Sequence, residues 1–373
     1  MRPRRLGLLA LMIPLAILAA LAARTPTAAQ STPLARTHYA VLVYSEPNRA
    51  SAIVGVLAPH VEVALEARSP DAAWVLGRSV DGAARGWVES RFLDTQGADL
   101  PTLPVSSERI YHPGAAARRP AAPAIDLNAY PIVPAITDRA RAIYARGQAL
   151  GLDPRAVSKI GDCISDNRHF LSPFGWNEYK LGGFAALQPA IDHFAPTLAA
   201  DSLAAYDGLV TAAALDPLFA NPLACLPGET PLRCEYRVRR SSFAIIMFGA
   251  QDLLFASPGE FDRNLRQIVH ETIEAGVVPI LSTFPGNLDR WDDAIAFNRI
   301  VAQIALDYDI PLMNLWRALD GLPNHGLDAD GRHLSPPVTH SGDLTGDNLR
   351  RGYPLRNLVT LQALDAVWRG VHE

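Results

Sequence analysis

Phe261-Asp262-Arg263-Asn264-Leu265-Arg266-Gln267-Ile268-Val269-His270-Glu271-Thr272-Ile273 is closed by Gly276 and runs into Val277-Val278-Pro279-Ile280-Leu281. Phe261, Leu265, Ile268, Val269 and Ile273 recur at the spacing of one helix face, and the apolar run after the glycine suits a strand. The cycle repeats downstream. Residues 291–308 read as an amphipathic helix and Ile310-Pro311-Leu312-Met313-Asn314-Leu315 as another strand. Upstream, Phe243-Ala244-Ile245-Ile246-Met247-Phe248 is apolar without interruption, as a parallel strand covered on both faces requires. From about residue 136 to 373 the pattern therefore predicts an α/β three-layer sandwich with a mostly parallel sheet.

The preceding text has another rhythm. Between residues 36 and 96, short β-rich runs alternate with turn signals: residues 39–44, Ser45-Glu46-Pro47-Asn48, then residues 53–57, 61–65, 73–78 and Gly86-Trp87-Val88. Short strands with close turns predict a small all-β barrel. Ser45-Glu46-Pro47 after the first strand, Trp74 opening a later one and Gly86-Trp87-Val88 near the end resemble a bacterial SH3 domain, which implies a peptide or cell-wall ligand. Tyr44, Trp74 and Trp87 are expected in the core, because so small a barrel needs its aromatics inside. Residues 97–135 are rich in Pro and Ala and read as an extended linker.

The chain has 373 residues, 49% hydrophobic and 19% charged, with a formal net charge of -4. No single-sign run would track a phosphate backbone, so nucleic acid is not an expected partner. Arginines at positions 2, 4 and 5, an apolar run from Leu6 to Ala23 and the small residues Thr27-Ala28-Ala29 give residues 1–29 the order of an export signal, with a retained membrane anchor as the competing reading. The expected location is secreted or extracytoplasmic, with a membrane partner only if that segment stays. Export makes a short-loop disulfide between Cys225 and Cys234 the expectation, leaving Cys163 as the odd thiol. Pairing of Cys163 with either of them is the competing arrangement. The histidines show no ligand spacing and no phosphate-cradling glycine loop occurs, so no metal or cofactor is expected.

In parallel sheets, reactive groups gather at the carboxyl ends of strands. Three such places stand out: Gly161-Asp162-Cys163-Ile164-Ser165, Gly249-Ala250-Gln251-Asp252 and Asp330-Gly331-Arg332-His333. A nucleophile after a strand and a tight glycine sits at a helix N-terminus, where backbone N–H groups stabilise an anion and lower a thiol pKa. A histidine three residues after an aspartate can be oriented by that carboxylate and act as a general base.

In this order the three stretches resemble the blocks of the SGNH (GDSL-type) hydrolases, with Cys for the family's Ser in the first and Gln for its Asn in the second. Over roughly residues 157–368, the resemblance implies an SGNH/flavodoxin-like fold. It makes Cys163 the nucleophile, His333 the base and Asp330 its orienting partner. The implied oxyanion hole comprises the Cys163 N–H, the Gly208 N–H and the Gln251 amide, with Gly182 as the rival placement of the glycine. Ser165 should have turned away into the helix, Asp162 should brace the turn, and Asp252, Asn324 and His325 are candidates for hydrogen bonding near the cleft. The implied activity is hydrolysis of a small-molecule or glycan ester, including an acyl group on a carbohydrate or cell-wall component. The alternative is an inactive surface protein that binds glycan or peptide.

Overall fold

The computed structural model describes residues 32–37, 41–48, 51, 53–57, 60–82, 84–110 and 125–373. The segment read as an export signal or anchor, residues 1–29, lies outside the described residues, as do residues 111–124 of the stretch read as a linker.

The first unit is one antiparallel sheet. β1 (Leu34–Thr37), β2 (Val41–Tyr44), β3 (Ile53–Leu57), β4 (Glu62–Arg68), β5 (Trp74–Ser79), β6 (Arg85–Glu89) and β7 (Leu93–Asp94) form an antiparallel half-barrel in the order β3-β2-β6-β5-β4-β1-β7. Period-2 alternation sends Val63, Leu65, Val75 and Val88 into one cluster. Tyr44, Trp74 and Trp87 pack into another, Tyr44 edge-on to Trp74. Residues 98–110 depart from an extended linker. They fold back onto the sheet: Val105 bridges to Arg68, the Ile110 N–H donates to the Ser45 carbonyl, and the Trp87 indole N–H donates to the Glu108 carbonyl at 2.7 Å. Buried Ile110 closes the aromatic cluster, which the sheet alone leaves open.

The second unit runs α1 (Asp138–Ala149), β8 (Asp153–Gly161), α2 (Cys163–Asp166), α3 (Ser172–Gly175), α4 (Gln188–Leu198), α5 (Thr211–Ala214), α6 (Pro231–Arg239), β9 (Ser241–Met247), α7 (Asp252–Phe255), α8 (Pro258–Glu274), β10 (Val278–Ser282), α9 (Trp291–Tyr308), β11 (Leu312–Met313), α10 (Leu315–Asp320) and α11 (Gly352–Gly370). Its four strands are parallel, ordered β11-β10-β9-β8, and an isolated parallel bridge from Gly161 to Ala205 extends the outer edge of β8. Chain order therefore reverses at β8, the topological switch point where such sheets form their clefts.

Both faces are covered. Phe243 of β9 meets Tyr144 of α1 and Phe194 of α4, and Phe194 in turn meets Trp368 of α11. On the other face, Ser158 of β8 donates to Glu235 of α6, and Tyr236 of α6 reaches Thr272 of α8. All of β9 is buried, hence its unbroken apolar sequence. α8 starts at a capping box, the Ser257 side chain accepting from the Glu260 N–H while the Glu260 side chain accepts from the Ser257 N–H. β11 is shorter than the apolar run suggests because Asn314 leaves the strand to cap α10, accepting from the Arg317 N–H. The same Asn314 ties residues 125–135 to this unit by donating to the Leu127 carbonyl at 2.6 Å, so the C-terminal part of the linker stretch is packed rather than free.

Candidate active site

The site begins with a close approach of backbones. At the end of β8, a Cβ on Gly161 would stand 2.3 Å from the Met247 carbonyl oxygen and 2.6 Å from Ser165 Oγ, so only glycine lets the chain turn there. At the end of β9, a Cβ on Gly249 would lie 2.2 Å from the Phe284 ring. These glycines hold Cys163 and Gln251 at neighbouring strand ends. Asp162 caps α2, its Oδ1 accepting from the Ile164 N–H at 3.0 Å, and Cys163 is the first residue of that helix.

His333 arrives from an irregular loop with its Nε2 3.3 Å from Cys163 Sγ. Its Nδ1 lies 2.6 Å from Asp330 Oδ2, and Asp330 Oδ1 accepts from the N–H groups of Arg332 and His333 at 2.9 and 3.0 Å. Burial pushes the Asp330 carboxyl up, but hydrogen bonds from the His333 side chain and these two N–H groups outweigh it and hold the pKa down at about 2. With the carboxylate ionised, Nδ1 carries the imidazole proton and Nε2 is free to accept from the thiol. The Gln251 amide donates toward Cys163 Sγ at 3.7 Å. Cys163, His333, Asp330 and Gln251, separated by up to 170 residues, thus stand as one group.

The electrostatics of the thiol correct one expectation. A helix N-terminus lowers a thiol pKa, yet burial and the adjacent Asp162 carboxyl push Cys163 up to about 11, against the lowering hydrogen bond from Gln251. The helix has only four residues, too short a stack of dipoles to dominate. Cys163 therefore rests as a neutral thiol. Burial likewise lifts Asp162 to about 7, with the Asp252 charge adding to the rise and the Ile164 N–H and Arg356 opposing it.

The remaining residues are placed as follows. The Asp207 charge adds to the rise of the thiol. Gly208 has a φ of 79°, and an added Cβ there would meet nothing within 4 Å. Neither the Cys163 nor the Gly208 N–H donates a hydrogen bond among the described residues. Gly182 instead packs against Thr345, 2.7 Å from where its Cβ would be. Ser165 is buried and accepts from Arg356 at 3.0 Å. Asp252 is buried and accepts from both the N–H and the hydroxyl of Thr211, fastening the 206–211 segment to the end of β9. His325 stacks on Trp291 and pairs with Asp320, and Asn324 adopts a left-handed conformation beside it; neither bonds to the Cys163 group. Cys225 and Cys234 form a disulfide and Cys163 is free, so the alternative pairings of Cys163 do not occur. The one grouping of potential metal ligands among the described residues, Cys225, Glu229 and Cys234, is occupied by that disulfide and by the Arg237–Glu229 ion pair.

Arg356 is the residue that sequence reasoning missed. It is wholly buried in α11, donates to the Ile164 carbonyl and to Ser165 Oγ, and lies 3.6 Å over the Phe170 ring. It thereby clamps the helix that begins at Cys163. Burial holds its pKa down at about 10. A lone arginine between Leu355 and Asn357 reads as a surface residue, and only the otherwise apolar run around it hints at burial.

No protein-family model matches the chain, and no curated protein does. Among solved structures, it is similar to a lipase/acylhydrolase from Enterococcus faecalis (18% identity, 58% of this chain and 96% of that one, TM-score 0.37). It is similar also to a psychrotrophic esterase from Pseudoalteromonas (15% identity, 59% and 100%, TM-score 0.37). A third is a catalytic mutant of an acetylxylan esterase from Geobacillus stearothermophilus (18% identity, 57% and 95%, TM-score 0.37).

Proposed function

We propose that the chain is an exported SGNH-type ester hydrolase with Cys163 as nucleophile. The observation that carries this reading is the hydrogen-bonded line from Asp330 Oδ2 through the His333 ring to Cys163 Sγ, at 2.6 and 3.3 Å, on the carboxyl ends of a parallel sheet. Because the thiol rests neutral, His333 Nε2 takes its proton as Sγ attacks the acyl carbon. The oxyanion is met by the N–H groups of Cys163 and Gly208 and by the Gln251 amide. The imidazolium, its charge balanced by Asp330, returns the proton to the departing alkoxide. Water, deprotonated by His333, then cleaves the thioester, releasing the carboxylate and restoring the thiol.

The substrate class is an ester or thioester, including acyl groups on carbohydrate or cell-wall material. The antiparallel unit is proposed as an SH3-like module for a cell-wall or peptide ligand. The disulfide supports export, since such crosslinks persist in oxidising compartments. No described helix is long and apolar enough to cross a membrane. Hydrolysis of p-nitrophenyl acetate by purified protein tests the mechanism: Cys163→Ala should reduce turnover to the uncatalysed rate. Equal catalysed rates in the two proteins would overturn Cys163 as the nucleophile, and wild-type turnover at the uncatalysed rate would leave the inactive glycan- or peptide-binding reading in its place.

A further inference from the structure

A cavity of about 300 Å³ opens between the segment that follows Gly208 and the segment that follows Gln251. Val210, Ala212 and Phe255 line it, and α8 contributes Glu260, Arg263 and Asn264; Asp252, the neighbour of Gln251 in the chain, lines it too. Two observations mark it as a place for a ligand. Phe255, an aromatic side chain, is 76% exposed. Arg263 Nε is closed off from solvent yet donates to nothing among the described residues. A buried donor without an acceptor carries the full penalty of its lost hydration, so such a group in a folded protein calls for a partner.

The chemistry of the lining selects that partner. Arg263 donates, Glu260 accepts and Asn264 does both, so the polar wall suits groups that are donor and acceptor at once, as hydroxyls are. An acyl chain would seal off the Arg263 N–H without pairing it. An anion would pair with Arg263 but meet the Glu260 carboxylate. The Phe255 ring presents a negative π-face, which attracts the C–H face of a sugar ring. The same face of α8 also leads onward. Glu260, Arg263, Asn264 and Gln267 recur three and four residues apart, and so share one side of the helix. Gln267 accepts from Arg91 of the antiparallel unit at 3.1 Å, and His270 meets Phe92 of that unit edge-on. A ligand that extends from the cavity along α8 therefore arrives at the antiparallel unit, which favours a chain over a single sugar. We infer that Phe255, Arg263 and Asn264 form a sugar subsite, and that the substrate is an acylated glycan chain lying along α8 from the Cys163 group toward the antiparallel unit. The inference deepens the ester-hydrolase reading and rests on it.

The test keeps the two apart. The full chain carrying Cys163→Ala, which lacks the proposed nucleophile, is titrated by calorimetry with chitotetraose and with xylotetraose, while wild type is assayed in parallel on p-nitrophenyl acetate. At least one oligosaccharide should bind. In the same background, Phe255→Ala and Arg263→Met should each weaken that binding on the order of tenfold to a hundredfold. Phe255→Ala, at an exposed position, decides by itself should Arg263→Met unfold. Binding of neither oligosaccharide, or an affinity unmoved by these changes, would overturn the subsite. So would binding of tetraalanine that the same changes weaken, which would make the groove a peptide site. Absence of wild-type ester turnover strikes the hydrolase reading instead, and oligosaccharide binding that depends on Phe255 and Arg263 would then leave the sugar subsite standing without it.

Discussion

The two halves of the candidate site are built on opposite terms. Cys163 stands on a strand end fixed by close packing: Gly161 is pressed against the Met247 carbonyl, Asp162 is wholly buried, and Arg356 is sealed beneath α2. Asp330 and His333 stand on a loop with about half of each side chain in solvent, held by hydrogen bonds within four residues and by one from outside, the Leu288 N–H donating to the Gly331 carbonyl. The position of Cys163 is thus a property of the whole core and that of His333 a more local one. Substitutions in the first half should register in stability, and those in the second mainly in turnover.

The sharpest way to break this contrast is Gly161→Ala. A methyl group 2.3 Å from a backbone oxygen cannot be accommodated by a rotamer change. The loss of unfolding free energy should reach about 4 kcal/mol or more, read as a shift of the urea midpoint; a loss below about 1 kcal/mol would mean that the strand end yields. Asp330→Asn supplies the other side. Ester turnover should fall on the order of 10²- to 10⁴-fold while the stability loss stays at about 1 kcal/mol, the solvent-screened contribution of a half-exposed carboxylate, and a loss as large as that of Gly161→Ala would erase the distinction. Arg356→Met lies between them. It keeps most of the volume and the contact with Phe170 but removes the donors to Ile164 and Ser165. A cost of about 2 to 4 kcal/mol is expected, with turnover of the surviving folded protein reduced through a misplaced Cys163.

The same contrast explains what the sequence disclosed. Asp330 and His333 are legible because their interaction is local, three residues apart on one loop, and Cys163 and Gln251 because each stands two residues after a glycine at a strand end, in the order of the SGNH blocks they resemble. Arg356 is not legible, since nothing in a helical Leu-Arg-Asn says that α11 packs against α2. Nor is the neutral thiol: a helix N-terminus can be read from residue order, whereas the burial that outweighs it arises from elements far along the chain. The folding of residues 98–110 onto the first sheet was hidden for a like reason, because Pro-rich composition reports local stiffness and not the open aromatic cluster that Ile110 covers.

Asp162→Asn gives the smallest and most specific effect. Buried Asp162 has its pKa raised to about 7 from an ordinary value of 3.8. Below pH 4 the carboxyl is protonated in both folded and unfolded chains, so its burial carries no penalty. As the pH rises from about 4 toward 7 the unfolded chain releases this proton while the native state keeps it, and stability falls across that window. The substituted amide keeps an oxygen that can accept from the Ile164 N–H but has no proton to retain. The variant should therefore match wild type near pH 4 and exceed it by about 1 to 3 kcal/mol at pH 7, read as the difference between urea midpoints. The Asp330 carboxyl, depressed to about 2, gives a slope of opposite sign at lower pH, its contribution present above about 4 and lost as the pH falls toward 2. A difference between variant and wild type that stays flat from pH 4 to 7 would mean that Arg356 keeps Asp162 ionised, and that the Cys163 half rests on a buried ion pair rather than on a neutral acid.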